Sequence, residues 1–82
     1  ISDFGINFYL FPNPCTNEIY INPSISGSYK WQIINELGQL IMKGNSEGFE
    51  SVSTHSLESG IYYLQVIHSK GTFSKSILKI ND

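Results

Sequence analysis

The side chains that could do chemistry are few and stand apart. The two imidazoles, His55 and His68, belong to no cysteine–histidine ligand pattern. Both are expected in solvent, and no metal site is expected. Cys15 is the only cysteine, so it cannot close an internal disulfide. As a nucleophile it would need a base and a group to orient that base, and the sequence points to neither. It reads as an incidental, half-buried thiol. The carboxylates are Asp3, Glu18, Glu36, Glu47, Glu50, Glu58 and Asp82, scattered singly, with no Asp-rich calcium loop. A glycosidase pair needs two carboxylates across a cleft, and a domain of 82 residues has little room for one. The glycines fall in turns and form no phosphate cradle. There is no Arg, and few Lys lie among the aromatics, which argues against a nucleic-acid platform. The chain therefore reads as a non-enzyme with no cofactor.

Composition points to one small β domain. There is no Ala, the best helix former, while twelve Ser and seven Asn favour turns. Apolar residues make up 40% and aromatics 13%, enough for a single core. No apolar run approaches the roughly 20 residues of a membrane-spanning helix, so no direct membrane insertion is expected. The net charge of −2 excludes a strong phosphate-binding field. Charge is uneven along the chain: residues 1–69 hold two Lys and six acids (−4), and residues 70–82 hold three Lys and one acid (+2). The start, "ISDFGINF", shows no initiator Met and no basic-then-apolar signal-peptide pattern, so the chain is read as an excised piece of something longer. Residues 1–7 read as a linker remnant and residues 8–82 as the domain.

Alternating apolar and polar residues between turn signals predict about seven short strands. They fall at 8–11, 18–22, 29–35, 40–43, 49–54, 61–68 and 72–80. "NELGQ" (35–39) is a tight turn whose Gly38 can take positive φ. "GNSEG" (44–48) closes the fourth strand, "SLESG" (56–60) forms a corner, and "SKG" (69–71) a hairpin turn. On the sixth strand Tyr62, Leu64 and Val66 face the core. Ile61, Tyr63 and Ile67 point away and are nearly as apolar, so a loop or a partner is expected over them. On the last strand Phe73, Lys75, Ile77 and Lys79 share one parity, and Leu78 and Ile80 the other. A bulge near Ser76 would reconcile the two. This spacing predicts an all-β, immunoglobulin-like antiparallel β-sandwich.

Leu57, Gly60 and Tyr62 have the spacing of the corner before the sixth strand of such sandwiches, where the tyrosine bonds back to the backbone. Leu64 then holds a core-cysteine position, and Trp31 is a candidate core tryptophan, with sugar stacking as the minor alternative. At the other end, "FPNPC" (11–15) carries two prolines. Proline lacks the N–H that a central strand donates, so the segment can end an edge strand and turn the chain. A blunted edge and a shape to be read by a partner are both consistent with it.

Four motifs now stand in order: "FYLFPNPCTNEIYI", "IINELGQLI", "SLESGIYYLQV" and "GTFSKSILKI". Together they resemble the type IX secretion system type A C-terminal sorting domain, also called the Por secretion system C-terminal sorting domain, over about residues 8–80. Pro12, Asn13 and Pro14 match its opening motif, and Gly38 its central turn. Leu57, Gly60 and Tyr62 match its structural corner, and Lys75 and Lys79 its basic end. Asn35 and Gln39 stand where the pattern has Asp and Arg, so neutral hydrogen bonds are expected in place of an ion pair.

The resemblance implies a non-catalytic signal. It directs a parent protein from the periplasm through the type IX outer-membrane machinery to the cell surface or the medium. The implied partners are type IX translocon components and a sortase-like protease that cuts just upstream. Pro12, Asn13, Pro14, Gly38, Lys75 and Lys79 are then the candidate recognition residues, with the two lysines supplying charge. The alternative is a carbohydrate-binding or adhesive sandwich module of a secreted enzyme, motivated by Trp31, Tyr20, Tyr29 and Tyr63.

Overall fold

A computed structural model describes residues 8–24 and 26–81. Seven strands account for most of them: β1 (Phe8–Phe11), β2 (Glu18–Pro23), β3 (Ser28–Asn35), β4 (Leu40–Glu47), β5 (Glu50–Ser53), β6 (Gly60–His68) and β7 (Gly71–Lys79). They form two antiparallel sheets, β1-β2-β5 and β4-β3-β6-β7. No helix occurs among the described residues. This is the expected all-β sandwich. The short β1 and β5 flank β2 in one layer, and the long β3 and β6 form the centre of the other.

The core follows from the period-two pattern of the strands. Ile19 and Ile21 of β2, Ile33 of β3, Leu64 and Val66 of β6 and Ile77 of β7 are fully or almost fully buried, with Phe8 and Val52 beside them. Phe8 packs edge-on against Tyr29, with centroids 5.2 Å apart, and against Phe73 at 5.8 Å. These contacts tie β1 to the opposite sheet. Cys15 joins the core fully buried rather than half-exposed.

Three expectations are corrected, two by the register and one by burial. The fourth strand does not stop at Lys43. It runs to Glu47 because β3 offers partners down to Ser28↔Glu47, and the turn shifts to Gly48–Phe49. Nor is there a bulge near Ser76. β6 and β7 pair without a slip from Gly60↔Lys79 to His68↔Gly71. The register shift lies instead between Ile33 and Ile34, against β4. The mixed apolar pattern of the last strand is resolved by exposure: Ile77 and Lys79 point inward while Leu78 and Ile80 are left partly in solvent. Finally, His68 is buried rather than solvated. Its Nδ1 accepts the Lys70 backbone N–H at 3.0 Å, which leaves Nε2–H to donate to the Ser26 carbonyl at 3.1 Å.

Tyr29 illustrates how the interior handles a polar end. Its ring is buried and its hydroxyl donates to the Gly48 carbonyl. Burial pushes the phenol above its ordinary value of 10.0, and the charge of Glu50 pushes the same way, against a lowering hydrogen bond with Ser46. A raised folded-state value means that the contribution to stability is complete below the unfolded value and lost as pH rises through the folded one. Tyr29→Phe is therefore expected to cost about 1 kcal/mol at neutral pH, the net worth of one hydrogen bond. The gap between the two proteins should close above pH 10, as urea unfolding across pH will show.

Candidate recognition surface

The proline segment lies where the two layers meet. β1 is the edge strand of its sheet and ends at Phe11. Both of the following X–Pro bonds, Phe11–Pro12 and Asn13–Pro14, are cis. The chain then leaves its own sheet and comes to rest on β7, the edge of the other. Asn13 makes the first attachment through its side chain: Nδ2 donates to the Ser76 carbonyl and Oδ1 accepts the Leu78 N–H, each at 3.0 Å. One amide thus serves an acceptor and a donor that a neighbouring strand would otherwise serve. Cys15 makes the second attachment with its backbone. Its N–H donates to the Leu78 carbonyl and its carbonyl accepts the Ile80 N–H, both at 2.9 Å, in a short parallel bridge. The C-terminal half of the β7 edge is covered in this way, while among the described residues no strand lies beyond β7 toward Thr72 and Ser74.

The corner is formed as expected. The Tyr62 hydroxyl donates to the Glu58 carbonyl at 2.7 Å. The preceding carbonyl, that of Leu57, accepts Lys79 Nζ at 2.7 Å, and Asn81 Oδ1 lies 3.2 Å from the same nitrogen. Lys79 is only 2% exposed, so it offers no charge to the outer surface. Parity alone does not decide this, since Lys75 shares it and is exposed; the Leu57 carbonyl at the corner gives the Lys79 amine an acceptor inside. Lys75 remains exposed, with its Nζ 5.6 Å from the centre of the Phe73 ring. The two lysines of the basic end are thus separated, one inside and one outside.

The central turn lies away from these elements. Asn35 Oδ1 accepts the N–H groups of Leu37 and Gln39, each at 2.9 Å, and Gly38 takes a φ of 83° that an L side chain rarely adopts. Asn35 Nδ2 donates to Gln39 Oε1 at 2.8 Å. The two positions that depart from the Asp/Arg pattern therefore still join, through a neutral amide pair. Gly38 itself meets nothing within reach of an added Cβ and faces solvent.

Residues 9–80 match the family model of a secretion system C-terminal sorting domain. The chain belongs to this family. No curated protein matches it. Membership makes the sorting domain a C-terminal signal for type IX secretion, which takes its parent protein to the cell surface or the medium by interacting with the secretion machinery. The family is one of signals rather than catalysts.

The structure gathers the family's motif residues unevenly. Pro12–Pro14, Lys75 and the corner with Lys79 all adjoin β7, whereas Gly38 stands on a separate turn. Residues 1–7, read as a linker remnant, lie outside the described residues. No comparison supports the carbohydrate-binding alternative. Tyr29 is buried, and Trp31 is half-buried on the core side, its Nε1 bonded to Ser46 Oγ at 3.3 Å. Sequence reasoning missed two features of the sorting domain. One is an aromatic group on the outer face of the three-stranded sheet, where Tyr20 stacks on Phe49 at 5.5 Å and Phe11 lies 5.4 Å from Tyr20. Strand parity places Phe11 and Tyr20 there, and their cross-strand pairing could have signalled it. The other is the inward turn of Lys79, which the assumed bulge concealed.

Proposed function

We propose that the sorting domain is read as a folded surface centred on the β7 edge. The reader is the type IX outer-membrane translocon, which meets the domain after its passage through the periplasm. The supporting observation is the pair of hydrogen bonds from the Asn13 amide to Ser76 and Leu78. Through them the first and last motifs of the chain, sixty-odd residues apart, become one continuous rigid patch. Pro12 and Pro14 stiffen the bend that presents Asn13. Lys75 adds an exposed positive charge that favours an acidic partner. The uncovered edge at Thr72 and Ser74 offers backbone groups for strand addition. Gly38 shapes a second, separate contact. Cutting by a sortase-like protease upstream of residue 8 then frees the parent protein from its address.

The test is a fusion. A reporter carrying an ordinary signal peptide is joined to residues 1–82 and expressed in a host with type IX secretion. The reporter is expected at the cell surface or in the medium. A second fusion lacking the last ten residues loses Phe73, Ile77, Lys79 and the bonding partners of Asn13 and Cys15, and is expected to stay in the periplasm. Periplasmic retention of both fusions overturns the proposal. Export of both excludes β7 as the part that is read, and export unchanged after deletion of the whole domain makes it a spacer.

A further inference from the structure

Lys79 raises a question that the sorting reading does not absorb. A charged amine taken out of water needs compensation, and interiors supply it with a carboxylate or with a full set of hydrogen bonds. Here Lys79 as a whole is 2% exposed, yet the two acceptors of its amine, the Leu57 carbonyl and Asn81 Oδ1, are both neutral. An ammonium has three N–H donors, so one has no acceptor among the described residues. The space beside it is a pocket of about 230 Å³ lined by Thr16, Asn17, His55, Lys79, Ile80 and Asn81. None of these six is an acid. The pocket is smaller than the roughly 300 Å³ at which sites for drug-sized ligands begin, so it suits a single functional group rather than a whole small molecule.

The other lining residues fit the same occupant. His55 Nδ1 lies 3.2 Å from Asn17 Oδ1. An amide oxygen only accepts, so the ring donates there, and the bond fixes the amide with its Nδ2 donors left for a ligand. Thr54 holds this loop in place: its N–H donates to the Asn17 carbonyl and its hydroxyl to the Thr16 carbonyl, at 2.9 and 3.1 Å. A buried cation, an oriented amide and three further polar residues, Thr16, His55 and Asn81, line one small volume.

We infer that this pocket binds a carboxylate. The anion would accept a charge-assisted hydrogen bond from Lys79 Nζ and a second bond from Asn17 Nδ2, the kind of pairing that makes carboxylate contacts short and strong. Two sources have this chemistry: an acidic side chain presented by another protein, and the chain's own Asp82, next to Asn81 in sequence. The inference does not depend on how the export machinery reads β7.

The experiment is a titration of the ¹⁵N-labelled 82-residue chain with sodium acetate, matched by sodium chloride at equal ionic strength. Saturable amide shifts are expected at Thr16, Asn17, His55 and Ile80 with acetate and not with chloride. Lys79→Met should abolish them. Asn17 is exposed, so Asn17→Ala keeps the fold and should weaken binding by about tenfold, the loss expected of one hydrogen bond to a charged group. If the wild type does not respond but Asp82→Asn binds acetate saturably, the chain's own carboxylate is the occupant and the carboxylate assignment stands. If acetate and chloride act alike on both proteins, or if Lys79→Met and Asn17→Ala bind as well as their parent, the assignment is overturned.

Discussion

Gly44→Val is expected to destabilise the domain by about 3 kcal/mol, at the upper end of the range for overpacked cores. Strand propensity alone predicts the opposite sign. Valine is favoured and glycine disfavoured in strands, by up to about 1 kcal/mol. Gly44 lies opposite Trp31 in the β3–β4 pair, and the indole lies against its backbone. A Cβ placed there would stand 2.6 to 2.9 Å from three atoms of the indole ring. A flexible side chain could yield, but this ring is held at both ends. It packs on the core, and its Nε1 donates to Ser46 Oγ, which in turn donates to Glu50 Oε1 at 2.6 Å. The steric cost therefore outweighs the propensity gain. Urea unfolding measures the loss, and the tryptophan emission should move to the red as the indole is forced outward. The double variant Trp31→Leu, Gly44→Val supplies the internal check. If the clash is the cause, the two changes together cost less than the sum of each alone. Additive losses would place the cause elsewhere.

The same pair explains why part of the fold was legible in the sequence and part was not. Strands with strong β-branched and aromatic alternation, such as "EIYIN" and "IYYLQVIH", were legible because half-buried strands need that pattern. The end of β4 was not. "GNSE" carries turn chemistry, and nothing local reveals that β3 is long enough to recruit it or that a distant tryptophan requires its glycine. Lys79 failed for a related reason. An alternating strand that ends in lysine invites a bulge to put the charge outside. The tertiary structure instead provides an inward amine with a carbonyl at the corner and an asparagine two residues on. His68 is a third case, since its two partners, Ser26 and the Lys70 amide, belong to loops that carry no sequence signal for it. The corner tyrosine and the proline segment were legible because each acts through local constraint, namely a bond back four residues in one and missing N–H groups in the other. The outer apolar face of β6 was visible as well. Ile61, Tyr63 and Ile67 stay 38 to 42% exposed.

Asn13→Ala separates fold from recognition, and its largest effect is expected on export rather than on stability. The two bonds that it removes lie at the surface, where water takes over part of the role of the lost amide. At about 0.5–1.5 kcal/mol each, their loss costs about 2 kcal/mol together. A domain of this size holds roughly 4–12 kcal/mol, so the variant remains folded, as circular dichroism and urea unfolding will establish. Cys15 still bridges to β7 through its backbone, so the chain keeps its path. What changes is the link between the proline bend and the β7 edge. If that joined patch is what the secretion machinery reads, export of the fused reporter should fall by about tenfold, as a loss of some 1.4 kcal/mol of recognition energy implies. Asn13→Asp sharpens the point. It keeps an oxygen for the Leu78 N–H but sets a second oxygen against the Ser76 carbonyl, so the bracket breaks while size and shape are conserved. Both variants should fail in export and stay folded. Full export by a folded Asn13→Ala protein would show that the bend is only an edge closure, and would leave Lys75 and the open half of β7 as the surface to be tested next.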